Sequence, residues 1–172
     1  MSPTPTPSPA APYVAPAGTS IGHVHLQVTD LDRALAFYHD LLGFEVTLLA
    51  GGQAAFLSAG GYHHHIGLNT WHSQGGRPAQ REGAAGLYHA AILYATRAEL
   101  ATIVKRLLQA GYPLRGASDH GVSEAIYLDD PDGNGLELYW DRPRAEWPTT
   151  PRGELTMYTH PLDMPGLLRL AE

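Results

Sequence analysis

The same succession of predicted strands and helix occurs in both halves of this chain. This internal repeat constrains the possible folds more than any other feature of the sequence. Residues 21–28 and 86–94 alternate apolar and polar side chains, which predicts a strand at the start of each half. Each strand is followed by an amphipathic helical pattern and by three further short strand patterns. The duplication predicts an α+β protein of two paired βαβββ modules, residues 21–72 and 86–140, that form a curved, cup-shaped mixed sheet with the helices outside.

The segments outside the two modules differ in composition. Residues 1–20 are rich in Pro, Ser, Thr and Ala, which predicts a disordered arm, and they lack the basic and continuous apolar stretches of a signal peptide. Residues 141–172 contain Trp147, Tyr158 and several leucines. This tail has enough apolar residues to fold back as a lid over the cup, or to pack on a partner in a dimer.

Composition narrows the class of protein. The 172 residues, 44% of them hydrophobic, suffice for one packed core. The net charge of −6 argues against nucleic-acid and anionic-membrane partners, and no apolar run has membrane-spanning length, so a cytoplasmic protein is expected. The chain has no cysteine, so any metal must be held by nitrogen and oxygen ligands.

Four polar residues occupy corresponding strand positions in the two halves. His23 and His89 lie near the start of the first strand of each half, and His65 and Glu137 lie in the last strand. A carboxylate such as that of Glu137 inside an apolar strand is costly unless it is paired. A two-fold relation between the modules would bring all four together. Two imidazoles and a carboxylate suit Fe(II), and Zn²⁺, Mn²⁺ or Ni²⁺ also accept them. Whether His65 is a fourth ligand stays open.

Three further segments carry a resemblance to a known family. Residues 23–38 (HVHLQVTDLDRALAFY), 41–44 (LLGF) and 130–137 (DPDGNGLE) resemble the vicinal oxygen chelate superfamily, which includes glyoxalase I, extradiol ring-cleavage dioxygenases and bleomycin-resistance proteins. The resemblance extends over residues 21–140. Three other segments resemble the catechol 2,3-dioxygenase-like branch: residues 62–71 (YHHHIGLNTW), 116–124 (GASDHGVSE) and 141–147 (DRPRAEW).

The resemblance implies roles for individual residues. It implies that His23, His89 and Glu137 bind the metal, that His120 is a proton donor and acceptor near the bound oxygen, and that Tyr127 hydrogen-bonds a substrate oxygen. The implied function is an extradiol-type dioxygenase that uses Fe(II) and O₂ to cleave a catechol-like aromatic ring.

Two departures keep other functions open. Extradiol dioxygenases of this type have two such paired-module domains, and this chain has room for one. A ligating His65 would give four protein ligands, as in glyoxalase I, and would favour a metal-dependent isomerase or lyase. The third hypothesis is a non-catalytic protein that binds a small aromatic molecule or drug. A homodimer that buries sheet edges or helices is expected in each case.

Overall fold

The computed structural model describes residues 12–78, 83 and 85–171. The predicted disordered arm lies outside the described residues as far as residue 11, and residues 12–20 are exposed, with one turn and no helix or strand. The loop between the modules is described except for residues 79–82 and 84. Among the described residues, no helix combines the length and apolar content that a membrane crossing requires.

The first module follows the predicted order. Its elements are β1 (Val24–Gln27), α1 (Leu31–Leu35), which continues as a π-helix over Ala36–Leu41, β2 (Glu45–Ala50), β3 (Ala54–Ser58) and β4 (Ile66–Asn69). The strands are arranged β1-β4-β3-β2, with β1 parallel to β4 and the other pairs antiparallel. Asp30 caps α1 through its side chain, and Gly43, at φ +84°, ends the helical segment.

The second module repeats this order and then adds to it. Its elements are β5 (Ala90–Leu93), α2 (Arg97–Gln109), β6 (Gly116–Asp119), β7 (Ser123–Asp129) and β8 (Gly135–Asp141). The tail supplies β9 (His160–Pro161), a 3₁₀ turn (Arg144–Glu146) and α3 (Met164–Leu168). β9 pairs with β6, so the sheet is arranged β5-β8-β7-β6-β9, and Leu167 of α3 is fully buried.

One face of each sheet packs on the helices and joins a common core. Leu26 of β1, Leu138 of β8 and Leu107 of α2 belong to the same buried cluster. The helices of the two modules meet, because Arg106 of α2 donates to the carbonyls of Asp40 and Leu41 at 2.6 and 2.8 Å. The α+β class and the paired modules are therefore confirmed. The hydrogen bonds divide the strands between two sheets, of four and five strands, rather than one.

The turn between β7 and β8 connects the two modules. Asp132 accepts from Arg33 at 2.8 Å, and Asp130 accepts from the Tyr38 hydroxyl at 2.9 Å. Both aspartates are buried, and both partners lie in the helical segment of the first module. Burial, reinforced by the charge of Asp130, raises the pKa of Tyr38 well above its ordinary value. The turn therefore fixes the second module against the first.

Candidate active site

The face of the second sheet that points away from the core, its outer face, collects the candidate residues of that module. Tyr127 of β7 and Glu137 of β8 are direct cross-strand partners. Ala91 of β5 pairs with Glu137 from the other side, and His89 lies two residues before Ala91. Tyr127 and Glu137 share this face as cross-strand partners, and His89, which directly precedes β5, reaches the same face through its contact with Glu137.

His89 and Glu137 form a close pair. The distance between His89 Nε2 and Glu137 Oε2 is 3.0 Å, and the Glu137 side chain is only 13% exposed. This contact provides the partner that the sequence required for a carboxylate within an apolar strand. Imidazole nitrogen and carboxylate oxygen are also donors that divalent first-row metals accept.

Tyr127 joins this pair to a third group. Its hydroxyl lies 3.1 Å from Glu137 Oε1. Burial, together with the charge of Glu137 and the hydrogen bond to it, raises the pKa of Tyr127 to about 12. The hydroxyl therefore keeps its proton at neutral pH and serves as a hydrogen-bond donor.

His120 lies in the hairpin between β6 and β7 and adds a further contact to this series. Its Nε2 lies 2.7 Å from the Tyr127 hydroxyl, and its Nδ1 lies 3.0 Å from the carbonyl oxygen of Tyr158. The tight turn at Gly121, with φ +77°, directs the chain back into β7. His89, Glu137, Tyr127 and His120 thus form one continuous series of polar contacts.

The two ligand candidates of the first module lie elsewhere. His23 packs against His64, with 4.4 Å between ring centroids. His65 Nδ1 lies 3.2 Å from Ser58 Oγ, and its ring packs on Tyr62. Among the residues that the structure describes, no three or more His, Asp or Glu side chains are placed to hold a metal ion. Within one chain, the arrangement therefore differs from the expected convergence of four ligands.

The position of His65 has a local cause. The sequence placed His65 within the last strand of the first module, but β4 begins only at Ile66. Gly60 and Gly61 both have positive φ, which turns the chain sharply before the three histidines. Residues 62–65 belong to this connection, so strand alternation does not determine where the His65 side chain points.

Sequence reasoning missed the charged group behind the His120 hairpin. Glu124 is buried and pairs with Arg97 at 2.7 Å and with Arg142 at 2.9 Å. Arg142 also contacts Asp119 at 2.9 Å, and the other oxygen of Asp119 accepts from the Gly121 amide at 2.8 Å. The available signal was Glu124 itself, which shares the core-facing positions of β7 with apolar residues. This ion-pair group holds both ends of the hairpin.

A small pocket opens beside the His89 and Tyr127 side chains. Its volume is ≈ 170 Å³, and its wall also includes Arg115, Gly116 and Leu136. Arg115 is paired with Asp129 at 3.0 Å. The site therefore combines a pocket, a metal-type donor pair and a protonated tyrosine in contact with a histidine.

The paired βαβββ modules, each with its own mixed sheet, define the glyoxalase fold class. A lactoylglutathione lyase from Agrobacterium tumefaciens has this fold with a TM-score of 0.55 and 27% identity, over 73% of this chain and 96% of that one. The chain belongs to the Glyoxalase/Bleomycin resistance protein/Dioxygenase superfamily, whose family model matches residues 20–138. The resemblance found in the sequence is thus confirmed.

Two curated relatives are dioxygenases by name. A catechol-2,3-dioxygenase from Bacillus subtilis (strain 168) is 41% identical over 153 residues, which cover 89% of this chain and 52% of the relative. A biphenyl-2,3-diol 1,2-dioxygenase from Rhodococcus globerulus is 31% identical over 70% of this chain and 63% of the relative. The chain therefore spans between half and two thirds of the length of these relatives.

Proposed function

We propose that this chain forms an Fe(II)-dependent extradiol-type dioxygenase that cleaves a catechol-like aromatic ring with O₂. The continuous contacts from His120 through Tyr127 to the His89–Glu137 pair carry the proposal. Through Tyr127, these contacts link the His120 imidazole to a donor pair of the kind that divalent metals accept, beside a pocket. The relative named catechol-2,3-dioxygenase, at 41% identity, supports the same reaction.

The metal is assigned to His89, Glu137 and His23. The donor types fit Fe(II), and they also fit Zn²⁺, Ni²⁺ or Mn²⁺. When bound, the metal supplies Lewis acidity and an electron path between the diol and O₂. His89 and Glu137 are already adjacent, whereas His23 lies in the other module against His64.

The third ligand is assigned to a second copy of the chain. The outer faces of both sheets are open in a single chain and carry apolar side chains: Leu48 of β2 is 57% exposed, Trp71 after β4 is 52% exposed and Leu93 of β5 is 54% exposed. Exposed apolar side chains on two sheet faces favour an interface. In a two-fold dimer, the first sheet of one chain would cover the second sheet of its partner, and each site would contain the partner subunit's His23.

His120 and Tyr127 are assigned the proton transfer. Tyr127 has one hydroxyl proton, so it donates either to His120 Nε2 or to Glu137 Oε1, but not to both. A substrate proton would reach His120 through Tyr127: the hydroxyl passes its proton to Nε2 while its oxygen takes the substrate proton, which then turns to Glu137 Oε1, and the protonated Nε2 donates to the Tyr127 oxygen. The pair therefore moves a proton without a change in the position of heavy atoms.

The proposed reaction consumes only the diol and O₂. The ring bond beside the diol carbons breaks, and both atoms of O₂ enter the single ring-opened product. O₂ is the oxidant and the diol is the reductant, so no further redox partner is consumed.

Anaerobic reconstitution with Fe(II) tests this proposal. The protein, purified without an affinity tag, is mixed with catechol in aerated buffer while O₂ uptake is followed. We expect about one iron per chain and one O₂ consumed per catechol. His120→Ala should lower kcat by roughly 10²–10⁴-fold, because proton transfer contributes that much. The exposed His72 provides the control, and His72→Ala should leave kcat unchanged. Zinc or nickel binding without O₂ uptake would contradict the proposal.

A glyoxalase I-type isomerase or lyase is the second candidate. The 27% identity to a lactoylglutathione lyase of known structure favours it. It would use His65 as a fourth ligand, so His65→Ala should then lower metal affinity. Under the dioxygenase proposal, the same variant should keep its iron content, because that proposal gives His65 no contact with the metal; in the structure, its Nδ1 lies against Ser58 Oγ and the Ala59 amide. Binding of catechol with no metal under any condition would favour a non-catalytic binding protein.

A further inference from the structure

The C-terminal tail runs alongside the hairpin that carries His120. Residues 158–161, here called the strap, lie antiparallel to β6, with Asp119 opposite His160 and Ser118 opposite Pro161. The strap continues to the hairpin, where the Tyr158 amide donates to the His120 carbonyl at 3.3 Å. The strap is therefore in backbone contact with the residue that the proposed function uses for proton transfer.

The strap also contacts the His120 side chain. The Tyr158 carbonyl oxygen lies 3.0 Å from His120 Nδ1, whereas Thr159 Oγ1 lies at 3.4 Å. A carbonyl oxygen only accepts hydrogen bonds, so the shorter contact requires a proton on Nδ1. In a neutral imidazole, the lone pair is then on Nε2, which faces the Tyr127 hydroxyl at 2.7 Å.

We propose that the strap fixes His120 in the Nδ1–H tautomer and thereby presents Nε2 as the proton acceptor of the site. Tyr158 is thus a positioning residue that acts through its backbone carbonyl. The catalytic consequence rests on the proposed function, but the tautomer itself does not. The orientation of a histidine is commonly set by the hydrogen bond of its second nitrogen, and here that partner comes from the tail.

Gly121 allows the strap to approach the hairpin. A Cβ atom at this position would lie 2.6 Å from Tyr158 Cε1 and 2.8 Å from Pro148 Cγ. The Tyr158 ring therefore packs directly on the glycine, and it also stacks on His160 at 4.2 Å between ring centroids. Any side chain at residue 121 would have to displace the Tyr158 ring and Pro148, which pack against this end of the strap.

Imidazole ¹⁵N shifts of the metal-free protein test the proposal directly. Spectra of wild type and His120→Asn identify the His120 signals. We expect a protonated Nδ1 and an unprotonated Nε2 in the neutral ring. Tyr127→Phe should keep this tautomer, because the carbonyl contact does not depend on the tyrosine. An Nε2–H tautomer, or an average of the two forms, in the wild type would overturn the proposal.

Two glycine variants distinguish the effect of a clash with the strap from the effect of backbone strain alone. Gly121→Ala forces a Cβ into the strap, whereas Gly153→Ala, at φ +80° with nothing within 4 Å, carries similar strain in open space. We expect Gly121→Ala to average the tautomers and to lower kcat about 10-fold, since misplaced catalytic groups lose rate steeply. Gly153→Ala should keep the wild-type spectrum. A folded Gly121→Ala protein with an unchanged tautomer would refute the role of the strap.

The spectra also separate this inference from the proposed function. A protein with a fixed Nδ1–H tautomer and no O₂ uptake would remove the dioxygenase proposal and keep the role of the strap. If Gly121→Ala does not fold, the wild-type and Tyr127→Phe spectra still decide between the tautomers.

Discussion

Asp130 shows how one carboxylate organises a turn and joins two modules. It accepts four hydrogen bonds: from the Tyr38 hydroxyl, from the amides of Asp132 and Asn134, and from the Asn134 side chain. The residue is buried, so no water is available to replace a lost partner. The motif was visible in the sequence as part of the family resemblance, but its link to Tyr38 was not.

Asp130→Ala should therefore destabilise the protein strongly. The variant leaves the Tyr38 hydroxyl without its acceptor and frees the turn, which should lower the free energy of unfolding by about 3 kcal/mol. Urea denaturation measures this change. The neighbouring Asp129 gives the control, because its ion pair with Arg115 is exposed. Asp129→Ala should cost less than about 1 kcal/mol, and equal losses in the two variants would contradict this account.

Residue positions were predictable where strand alternation applied. Alternation along an apolar strand puts Glu137 on the face opposite to that of Leu136 and Leu138. The structure has Glu137 on the outer face, beside His89. His65 was less predictable, because three successive histidines follow two glycines and the sequence does not mark where the strand begins. The partner of His23 depends on how the sheets meet, which local patterns do not encode.

At the scale of elements, α2 was the most predictable part of the chain. Thr96 accepts from the Glu99 amide at 3.1 Å, and the Glu99 side chain accepts from the Thr96 amide at 2.8 Å; a threonine three residues before a glutamate is the sequence pattern of such a capping box. The helix turns Leu100, Val104 and Leu107 into the core. β9 was missed, because a two-residue strand that contains a proline has no alternating pattern.

Thr96→Ala should remove one half of this capping box. The Glu99 amide then loses its acceptor at the first turn of α2, and the free energy of unfolding should fall by about 1 kcal/mol. Thermal or urea denaturation measures the loss. Thr96→Ser keeps the hydroxyl and should stay within about 0.5 kcal/mol of wild type. A serine variant as unstable as the alanine variant would show that the methyl group, not the cap, matters.

At the scale of the whole molecule, two partly buried tyrosines, Tyr94 and Tyr112, predict a loss of stability in alkali. Burial raises the pKa of Tyr112 to about 12 and raises that of Tyr94 further. An unfolded tyrosine ionises near its ordinary value of 10, so the unfolded chain releases protons first as the pH rises. The stabilisation is complete below pH of about 10 and is lost as the pH rises through the folded values.

Tyr94→Phe should weaken this dependence. A phenylalanine does not ionise, so the slope of stability against pH above 10 should decrease by about 1.4 kcal/mol per pH unit. Urea denaturation between pH 9 and 11.5 gives the slope. The exposed Tyr13 is the control, and Tyr13→Phe should leave the slope as in wild type. An unchanged slope in Tyr94→Phe would show that another group controls alkaline unfolding.

The division of the proposed ligands between two sheets leads to a prediction about assembly. His89 and Glu137 are adjacent at the second sheet, whereas His23 directly precedes β1 of the first sheet. A two-fold dimer that joins the first sheet of one chain to the second sheet of its partner forms two equivalent sites. Each site then depends on both chains, and this dependence is measurable by mixing variants.

Mixed dimers of His23→Ala and Glu137→Ala should regain activity that neither variant has alone. Each pure variant lacks one ligand in both sites, but a mixed dimer has one intact site and one site without either ligand. Random exchange makes half of the dimers mixed, so iron content and kcat should return to about a quarter of wild type by symmetry alone. His89→Ala mixed with Glu137→Ala should stay inactive. Each site takes both of these residues from the same chain, so every site in the mixed dimer lacks one of the two ligands. If one chain supplied all three ligands, the first mixture would stay inactive as well.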